Sequence, residues 1–386
     1  MTATMERRID RWQIRLGVLG IAALISVFIG GWFHSQRFFI SYLFAYLFWF
    51  GFAIGCAIIT MIHHLTGGQW GHSVRRILEA GLATFPLLAL LFVPIVFGLK
   101  ALYPWATKSF HPEIQNKLAY LNSGFFIGRA VFYFVVWSFF ALKIRGLSLD
   151  QDETRDPAPT RRILKHSGLG VVIFPLLATF AYVDWIMSIE PRWHSTIFAL
   201  VILAGQMLVG NAFAVMALSL LQKDGCLEKL ATKARCHQLG NLLLTFVLFW
   251  TYLAFSQLLI IYSANNPEEI DWYLHRIHGP WKLVIGAVAL FQFFLPFLLL
   301  LFRASKRSGT VLGALAAWLL VIQLIYTYWL IVPTFAPSAP QVSWMDFVTP
   351  VGIGAIWLGS FLWLLKRAPL VPLNDPRMRE EMAHAE

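Results

Sequence analysis

The chain has 386 residues, of which 58% are hydrophobic and 13% are charged, and its formal net charge is +11. A soluble domain carries about 25% charged residues, so this composition excludes a soluble globular protein and indicates a protein that crosses a membrane several times. Membrane topology and contact with anionic lipid explain the positive charge without nucleic-acid binding.

Apolar stretches that are long enough to cross a bilayer follow one another along almost the whole chain. A transmembrane helix needs roughly 20 mainly apolar residues. Ten stretches meet this length, near residues 14–33, 38–62, 77–100, 119–142, 167–187, 195–221, 239–262, 281–302, 309–332 and 347–365. We therefore predict an all-α integral membrane protein with about ten transmembrane helices. Residues 1–386 form one polytopic domain, which ends in a cytoplasmic tail at 366–386.

Lysine and arginine are unequally distributed between the two sides of this predicted domain. With ten spans both termini lie on one side, and the loops and tails of that side hold 23 of the 31 basic residues. The opposite side holds seven, and Arg129 lies inside the fourth span. By the positive-inside rule, both termini are predicted to face the cytoplasm.

A histidine-rich, charged segment joins the second predicted span to the third. It contains three histidines, two arginines and one carboxylate: His63, His64, His72, Arg75, Arg76 and Glu79. Glu79 follows the arginines by four and three residues, a spacing that places side chains on one helical face. Histidine titrates near neutral pH and can pass protons to a carboxylate. The segment is therefore either a proton-uptake site or a cytoplasmic cap held by ion pairs.

Two ionisable residues lie inside predicted spans. Arg129 follows the start of the fourth span by about ten residues, roughly 15 Å, and Asp184 precedes the end of the fifth by about three. Such side chains in hydrocarbon are usually paired, hydrated or functional. Because their depths differ by about 10 Å, a direct salt bridge requires Arg129 to reach outward, with help from water or Asn122. The pair is either structural or part of a proton path or a quinone pocket.

Other polar residues inside the spans are also candidates for a proton path. Asn211 in the sixth span belongs to this set, with the others being Gln206, Asn241, Thr245, Gln292, Gln323 and Tyr326. Any one of them is more often a hydrogen bond between helices than a channel residue.

Two connecting segments differ in character. Residues 150–160 are charged and rich in proline, which predicts a solvated, flexible linker without a chemical role. Residues 265–281 mix acids with aromatic side chains, which is typical of an interfacial belt. Three carboxylates within four residues favour docking of another subunit instead. The docking candidates are Glu268, Glu269, Asp271 and Trp272.

The sequence predicts no cofactor, metal or catalytic residue in this chain. A b-type haem needs imidazole ligands from the middle of helices, and no histidine lies in the middle of a predicted span. The three cysteines, at positions 56, 226 and 236, form no C-x-x-C motif and no cluster for an iron–sulfur centre.

Several segments resemble a known family. Residues 184–198 (DWIMSIEPRWHSTIF) resemble a segment shared by the two large membrane subunits of bacterial alternative complex III, which are relatives of polysulfide-reductase-C or NrfD-type proteins. Residues 63–71 (HHLTGGQWG), 75–80 (RRILEA), 254–262 (AFSQLLIIY) and 266–270 (NPEEI) are similar to the second of these subunits, the ActF type. The chain departs from the H-A-G-T-like and N-R-x-x-E-like motifs of the quinol-site subunit.

This resemblance implies an NrfD-like fold in which spans two to five and six to nine form two four-helix bundles, with two peripheral helices. It implies a bacterial cytoplasmic membrane and a complex that oxidises quinol and reduces a cytochrome c or an oxidase. The implied partners are a quinol-site NrfD-like subunit, an iron–sulfur subunit, and multihaem and monohaem cytochrome c subunits, which carry the cofactors. Lipid surrounds the chain.

Within such a complex the resemblance implies a proton path, with Asp184 and Arg129 in its outer half and His64, His72 and Glu79 in its inner half. A structural or assembly role is an alternative, as is quinol binding by this subunit. A secondary transporter is the least favoured reading, because it needs a midplane site at paired broken helices, and the prolines at 86, 94, 175 and 296 form no such pair.

Overall fold

The computed structural model describes residues 3–107, 112–153, 158–223, 232–372 and 374–378, and it contains helices but no strands in these ranges. The α-helices are α1 (Ala3–Phe33), α2 (Ser35–Thr66), α3 (Gln69–Leu82), α4 (Phe85–Phe97), α5 (Leu99–Leu102), α6 (Ser123–Glu153), α7 (Ala158–Trp185), α8 (Phe198–Lys223), α9 (Lys233–Ala264), α10 (Pro267–Ile277), α11 (Trp281–Val288), α12 (Leu295–Leu301), α13 (Arg303–Arg307), α14 (Gly309–Ile331) and α15 (Met345–Lys366). A π-helical turn, Ala289–Phe294, joins α11 to α12. Shorter 3-10 turns occur at Pro104–Ala106, Pro112–Lys117, Met187–Ile189 and Val332–Thr334.

Nine helical segments in the described part of the chain are long and apolar enough to cross a membrane, and the bent pair of α3 and α4 gives a tenth. The protein is therefore an all-α, multi-pass membrane protein, which confirms the predicted fold class. Lys366 at the end of α15 pairs with Asp10 near the start of α1. Both terminal segments thus lie at the same end of the molecule.

The helices pack in two groups of four. The first group contains α2, the α3–α4 pair, α6 and α7, and the second contains α8, α9, the α11–α12 segment and α14. α1 and α15 pack against each other beside α2. Only 11% of the residues in the most apolar stretch of α1 are buried. α1 and α15 therefore lie at the periphery, and the division of the other helices into two NrfD-like bundles stays a prediction.

The two groups meet where α2 crosses α8. A Cβ atom added to Gly55 would lie 2.1 Å from the carbonyl oxygen of Gln206, and one added to Gly210 would lie 2.4 Å from the carbonyl carbon of Gly55. Glycine is therefore required on both helices, because only the missing side chains allow the backbones to approach so closely.

The third predicted span, 77–100, is not one straight helix. α3 ends at Leu82, α4 begins at Phe85, and the two helices are bent by 40°. Pro86 in the first turn of α4 has no N–H to donate to α3, so the hydrogen-bond ladder stops there. α3 begins at Gln69, before the predicted start of the span at 77, and is buried from Gly71 to Leu82 despite its charges.

The described residues of the predicted linker, 150–153 and 158–160, are helical, so the prediction of a linker was wrong for them. α6 continues to Glu153 and α7 begins at Ala158, while residues 154–157 lie outside the described ranges. Gln151 is 2% exposed, and its Nε2 donates to Thr160 Oγ1 at 2.5 Å. The ends of α6 and α7 thus extend beyond the apolar stretches and bring polar side chains against α3.

Candidate functional site

The polar face of α3 is buried against α6 and the C-terminal segment, where it forms a group of charges. We call this group the α3 cluster, and its members are Arg75, Arg76, Glu79, Ser148, Asp152 and Asp375. Glu79 is 1% exposed, accepts a hydrogen bond from Arg75 Nε at 2.8 Å and pairs with Arg76. Both ion pairs that the sequence spacing allows are formed.

Ser148 on α6 connects the members of the α3 cluster. Its Oγ donates to Glu79 Oε1 at 2.5 Å and accepts from Arg75 Nη2 at 2.8 Å and from Arg76 Nη1 at 3.0 Å. A hydroxyl has one proton and two lone pairs, so all three are used. Arg145, one turn earlier on α6, donates to the backbone oxygens of Glu79 at 3.1 Å and Leu364 at 2.5 Å.

Two further carboxylates reach the α3 cluster from distant parts of the chain. Asp152 at the end of α6 pairs with Arg76, and Asp375 pairs with Arg75. Asn374 Nδ2 donates to the backbone oxygen of Asp152 at 2.7 Å. The C-terminal segment 374–378, part of the predicted cytoplasmic tail, therefore packs on the cluster; residues 373 and 379–386 lie outside the described residues.

The three predicted histidines are buried beside the α3 cluster, each 3–4% exposed. His64 Nδ1 lies 2.9 Å from Ser167 Oγ of α7, and the ring centroids of His63 and His72 are 5.3 Å apart. The backbone oxygen of His64 accepts from Arg377 Nη1 at 3.0 Å. The tail and the histidines are thus in direct contact.

A cavity of about 20 Å³ lies between His63, His64 and the α3 cluster. Its lining includes His63, His64, Arg75, Gln151 and Asp375. One water molecule needs roughly this volume and two to four polar partners, and these side chains supply them. The arrangement can therefore hold water between the histidines and a buried charge network. No group of metal-ligating side chains is found in the described ranges.

The pairing of Asp375 makes the tail contact dependent on pH. Burial raises the pKa of Asp375, but the charge of Arg75 and the backbone N–H of Arg377 outweigh it, so the net pKa is lowered. A carboxyl with a lowered folded pKa stabilises the fold above its unfolded pKa, about 3.9, and this contribution is lost as pH falls through the folded pKa.

We expect Asp375→Asn to speed amide hydrogen exchange in segment 374–378 at pH 7 by roughly tenfold or more, because hydrogen bonds to charged groups contribute about 1.5–3 kcal/mol. After correction for intrinsic rates, the wild type should approach the variant only below about pH 4. Asp10→Asn, which removes an exposed ion pair with Lys366, is the control and should leave this segment unchanged. Equal exchange in wild type and Asp375→Asn at pH 7 would contradict the tail contact.

At the other end of the first helix group, Asp184 and Arg129 pair directly. Arg129 Nε and Nη2 donate to the two oxygens of Asp184, each at 2.8 Å, and Tyr133 Oη donates to Asp184 Oδ2 at 3.0 Å. The guanidinium group lies 3.7 Å from the centroid of the Tyr120 ring. We call these four side chains the Asp184 site, in which the carboxylate is 0% exposed.

The direct salt bridge, for which Arg129 must reach outward, is formed. α6 begins at Ser123 rather than near 119, so Arg129 lies six residues inside α6, and Asp184 lies one residue before the end of α7. Asn122 does not bridge them; its Oδ1 accepts from the backbone N–H of Phe125 at 2.9 Å and caps α6. Burial and the charge of Asp184 raise the pKa of Tyr120 to about 12.

The α3 cluster and the Asp184 site lie at opposite ends of α7. Ser167, the partner of His64, precedes Asp184 by 17 residues, or roughly 25 Å along a helix. Packed aromatic rings fill the space between them, and Trp137 is central among these. Its ring centroid lies 5.2 Å from that of Phe50, 5.7 Å from Phe85 and 6.1 Å from Trp185. Any proton path through this helix group must cross the aromatic layer.

Beside the Asp184 site lies a cavity of about 360 Å³. Tyr120, Lys117, Met187 and His194 are among its lining residues. A quinol-binding role, one of the alternatives above, predicts a pocket at this location.

Asn211 lies apart from both groups of charges. It is 1% exposed on α8, next to the Gly210 contact with α2, and its amide nitrogen has no hydrogen-bond partner among the described residues. Gln206, one turn earlier, accepts from Tyr182 Oη and lines a cavity of about 20 Å³ with Gln323. These residues form a separate polar region between α7, α8 and α14.

The predicted docking residues divide between the surface and the interior. Trp272 on α10 is 5% exposed and stacks on Trp193 at 4.8 Å. It therefore holds α10 to its own chain and is not on a docking surface. Glu268 and Asp271 are exposed and Glu269 is partly exposed, so these carboxylates remain accessible.

Two other buried ion pairs were not singled out from the sequence. Arg276, 1% exposed, donates to Glu190 Oε1 at 2.9 Å and to Thr334 Oγ1 at 2.6 Å. Asp346 pairs with Arg37 and accepts from Ser41 Oγ at 2.6 Å. The scarcity of basic residues on the predicted outer side is a signal that could have drawn attention to Arg37 and Arg276.

No protein-family model matches the chain, and no curated protein matches it. Functional assignment therefore depends on the geometry of the two charged sites and on the resemblance of the quoted segments.

Proposed function

We propose that this chain is a membrane subunit of a bacterial quinol-oxidising complex of the alternative complex III type, and that it handles protons within that complex. The quinol, iron–sulfur and haem c groups belong to partner subunits in this proposal. The resemblance of residues 184–198 and 63–80 supports the type of complex. The observation that carries the proton role is that buried, titratable groups occupy both ends of one helix group.

In this proposal both termini and the α3 cluster face the cytoplasm, in agreement with the distribution of basic residues. Protons arrive at His63, His64 and His72, and the cavity that His63 and His64 line has room for water. Transfer to Glu79 neutralises the carboxylate and weakens its pairs with the two arginines. The Asp184 site acts in the same way at the outer end, where protonation of the carboxylate loosens its bidentate contact with Arg129. In both sites, protonation of the carboxylate therefore breaks or weakens its ion pair with arginine.

A structural role in the same complex is the second candidate. It is favoured by the complete hydrogen bonding of Ser148 and by the bidentate Arg129–Asp184 contact, which together tie α3, α6 and α7. The aromatic layer also favours it, because packed rings offer protons no partners. In that case both charged sites hold helices together and exchange no protons during turnover.

Glu79→Gln and Asp184→Asn distinguish the two roles when the intact complex is reconstituted into liposomes. We expect each variant to keep quinol oxidation per assembled complex within about twofold, while the number of protons taken up or released per electron falls, because proton transfer needs an ionisable group. The protein retains a hydrogen-bonding side chain of similar size in both variants. Proton stoichiometry is measured with pH-sensitive dyes on each side of the membrane.

Asp346→Asn is the matched control, since Asp346 is also a buried carboxylate paired with arginine but lies outside both charged sites. Loss of proton transfer in the two test variants but not in the control supports the proposal. If the number of protons per electron is unchanged in all three variants, the structural role is supported instead. Failure of the chain to co-purify with haem c and iron–sulfur proteins contradicts the assignment to this type of complex.

A further inference from the structure

A large apolar cavity lies in the second helix group, away from both charged sites. Residues of α8, α9, α10, α11, α14 and the π-helical turn line it, and its volume is about 660 Å³. Pockets of roughly 300–1,000 Å³ hold small molecules in other proteins. Ten of its nineteen lining residues are aromatic. The walls therefore suit a long apolar group.

Two side chains that line this cavity, Gln257 and Trp250, carry a buried nitrogen with no acceptor among the described residues, and Gln257 is the one with an amide. Gln257 on α9 is 3% exposed and lines the cavity, and its Nε2 has no hydrogen-bond acceptor among the described residues. Almost all buried polar groups are hydrogen-bonded, and a buried donor without an acceptor costs about 1–3 kcal/mol. An oxygen atom inside the cavity would remove this cost. Gln257 thus indicates where the polar end of a ligand lies.

One side of the cavity opens at the surface of helices that are long and apolar enough to cross a membrane. Tyr252 and Phe255 of α9 and Phe294 of the π-helical turn line it, and each of them is more than half exposed. The π-helical turn interrupts the α-helix between α11 and α12 at this point, and such turns are frequent at functional sites. At the other end Trp272 and Tyr273 of α10 line the cavity and are buried. A ligand therefore enters sideways from the bilayer.

We propose that this cavity binds a membrane lipid whose apolar tail packs against the aromatic walls and whose carbonyl oxygen accepts a hydrogen bond from Gln257 Nε2. Two membrane components have this chemistry: a glycerophospholipid with its ester carbonyl, and a prenyl quinone with its ring carbonyl. The site uses no residue of the α3 cluster or the Asp184 site. The proposal of a lipid site can therefore be confirmed or contradicted independently of the proton role.

Photolabelling of membranes that contain the full-length protein tests the site. One probe is a phosphatidylcholine with a diazirine in one acyl chain, and the other is a prenyl quinone with a diazirine in its tail. Ala254→Trp places an indole in the cavity, and Gln257→Leu removes the donor without adding bulk. Leu259→Trp is the control, because Leu259 lies on the same helix, is 50% exposed and does not line the cavity.

We expect adducts to map to the cavity-lining parts of α9 and the π-helical turn. Ala254→Trp should reduce them by about tenfold or more, because the indole occupies the site. Gln257→Leu should weaken labelling by about fivefold, the effect of one lost hydrogen bond. Leu259→Trp should leave labelling within about twofold, as expected for a surface change far from any special contact.

Labelling by one probe that is competed only by its own unlabelled lipid identifies the phospholipid or the quinone as the occupant, and either result supports the site. Labelling that is the same in Ala254→Trp and Leu259→Trp overturns it, as does labelling spread evenly over the lipid-facing surface. Unchanged labelling in Gln257→Leu overturns the carbonyl contact. This variant keeps the test valid even if Ala254→Trp does not fold.

Discussion

Replacing Arg129 with leucine is expected to lower the free energy of unfolding by about 3–5 kcal/mol, because Asp184 would stay buried without its ion-pair partner. The carboxylate is 0% exposed and accepts three hydrogen bonds, two of them from Arg129. In the variant only Tyr133 remains as a donor. The loss of stability is measured by reversible unfolding in bicelles, in which the binding of a steric trap reports the unfolded fraction.

The double variant Arg129→Leu/Asp184→Leu separates the charge from the packing. Replacement of a whole buried ion pair by apolar residues is often neutral or stabilising, so the second change should recover most of the loss. Lys366→Leu is the exposed control: Lys366 and Asp10 are 32% and 47% exposed, and such pairs contribute about 0–1 kcal/mol. A cost for Arg129→Leu no larger than that of the control would contradict the role assigned to the Asp184 site.

A stable double variant also bears on function. If it folds and assembles but proton transfer is lost, the Arg129–Asp184 pair is kept for its chemistry and not for stability. If proton transfer persists, the pair serves the fold alone. The same pair of measurements thus distinguishes the two candidate functions at the outer end.

The lengths of the apolar stretches predicted the long helices well, because a helix that crosses a bilayer needs apolar side chains along its whole length. This prediction failed where polar residues are buried inside the protein. α3 carries His72, Arg75, Arg76 and Glu79, so it does not look like part of a span, yet it is buried from Gly71 onwards. The ends of α6 and α7 were missed for the same reason. Charge there is neutralised by contacts that no local pattern reveals.

The site was predictable only where its contacts are local. The pairs of Glu79 with Arg75 and Arg76 follow from spacing on one helix. Asp375, 300 positions after Arg75, could be placed only by the fold. Arg129 and Asp184 were both recognised, but the sequence left open whether they pair directly, because the reach of the arginine side chain and the contact between α6 and α7 depend on the fold.

Trp137→Ala is expected to destabilise the protein by about 3–5 kcal/mol, the usual cost of removing a buried tryptophan. Trp137 is 0% exposed and contacts Phe50, Phe85 and Trp185 in the layer between the two charged sites. Its loss leaves a void in the aromatic layer, and water in this void would lie between the α3 cluster and the Asp184 site. If protons cross this helix group, the variant complex should leak protons into liposomes without quinol oxidation.

Trp357→Ala is the matched control for this leak. Trp357 is also 0% exposed, but it packs against Trp49, Phe52 and Phe213, outside the line between the two sites. Its Nε1 donates to Thr84 Oγ1 at 2.9 Å, so its removal should cost at least as much stability. A leak in Trp137→Ala alone identifies the aromatic layer as the barrier in a proton path. Equal leaks indicate general loosening, and a folded, tight Trp137→Ala variant favours the structural role.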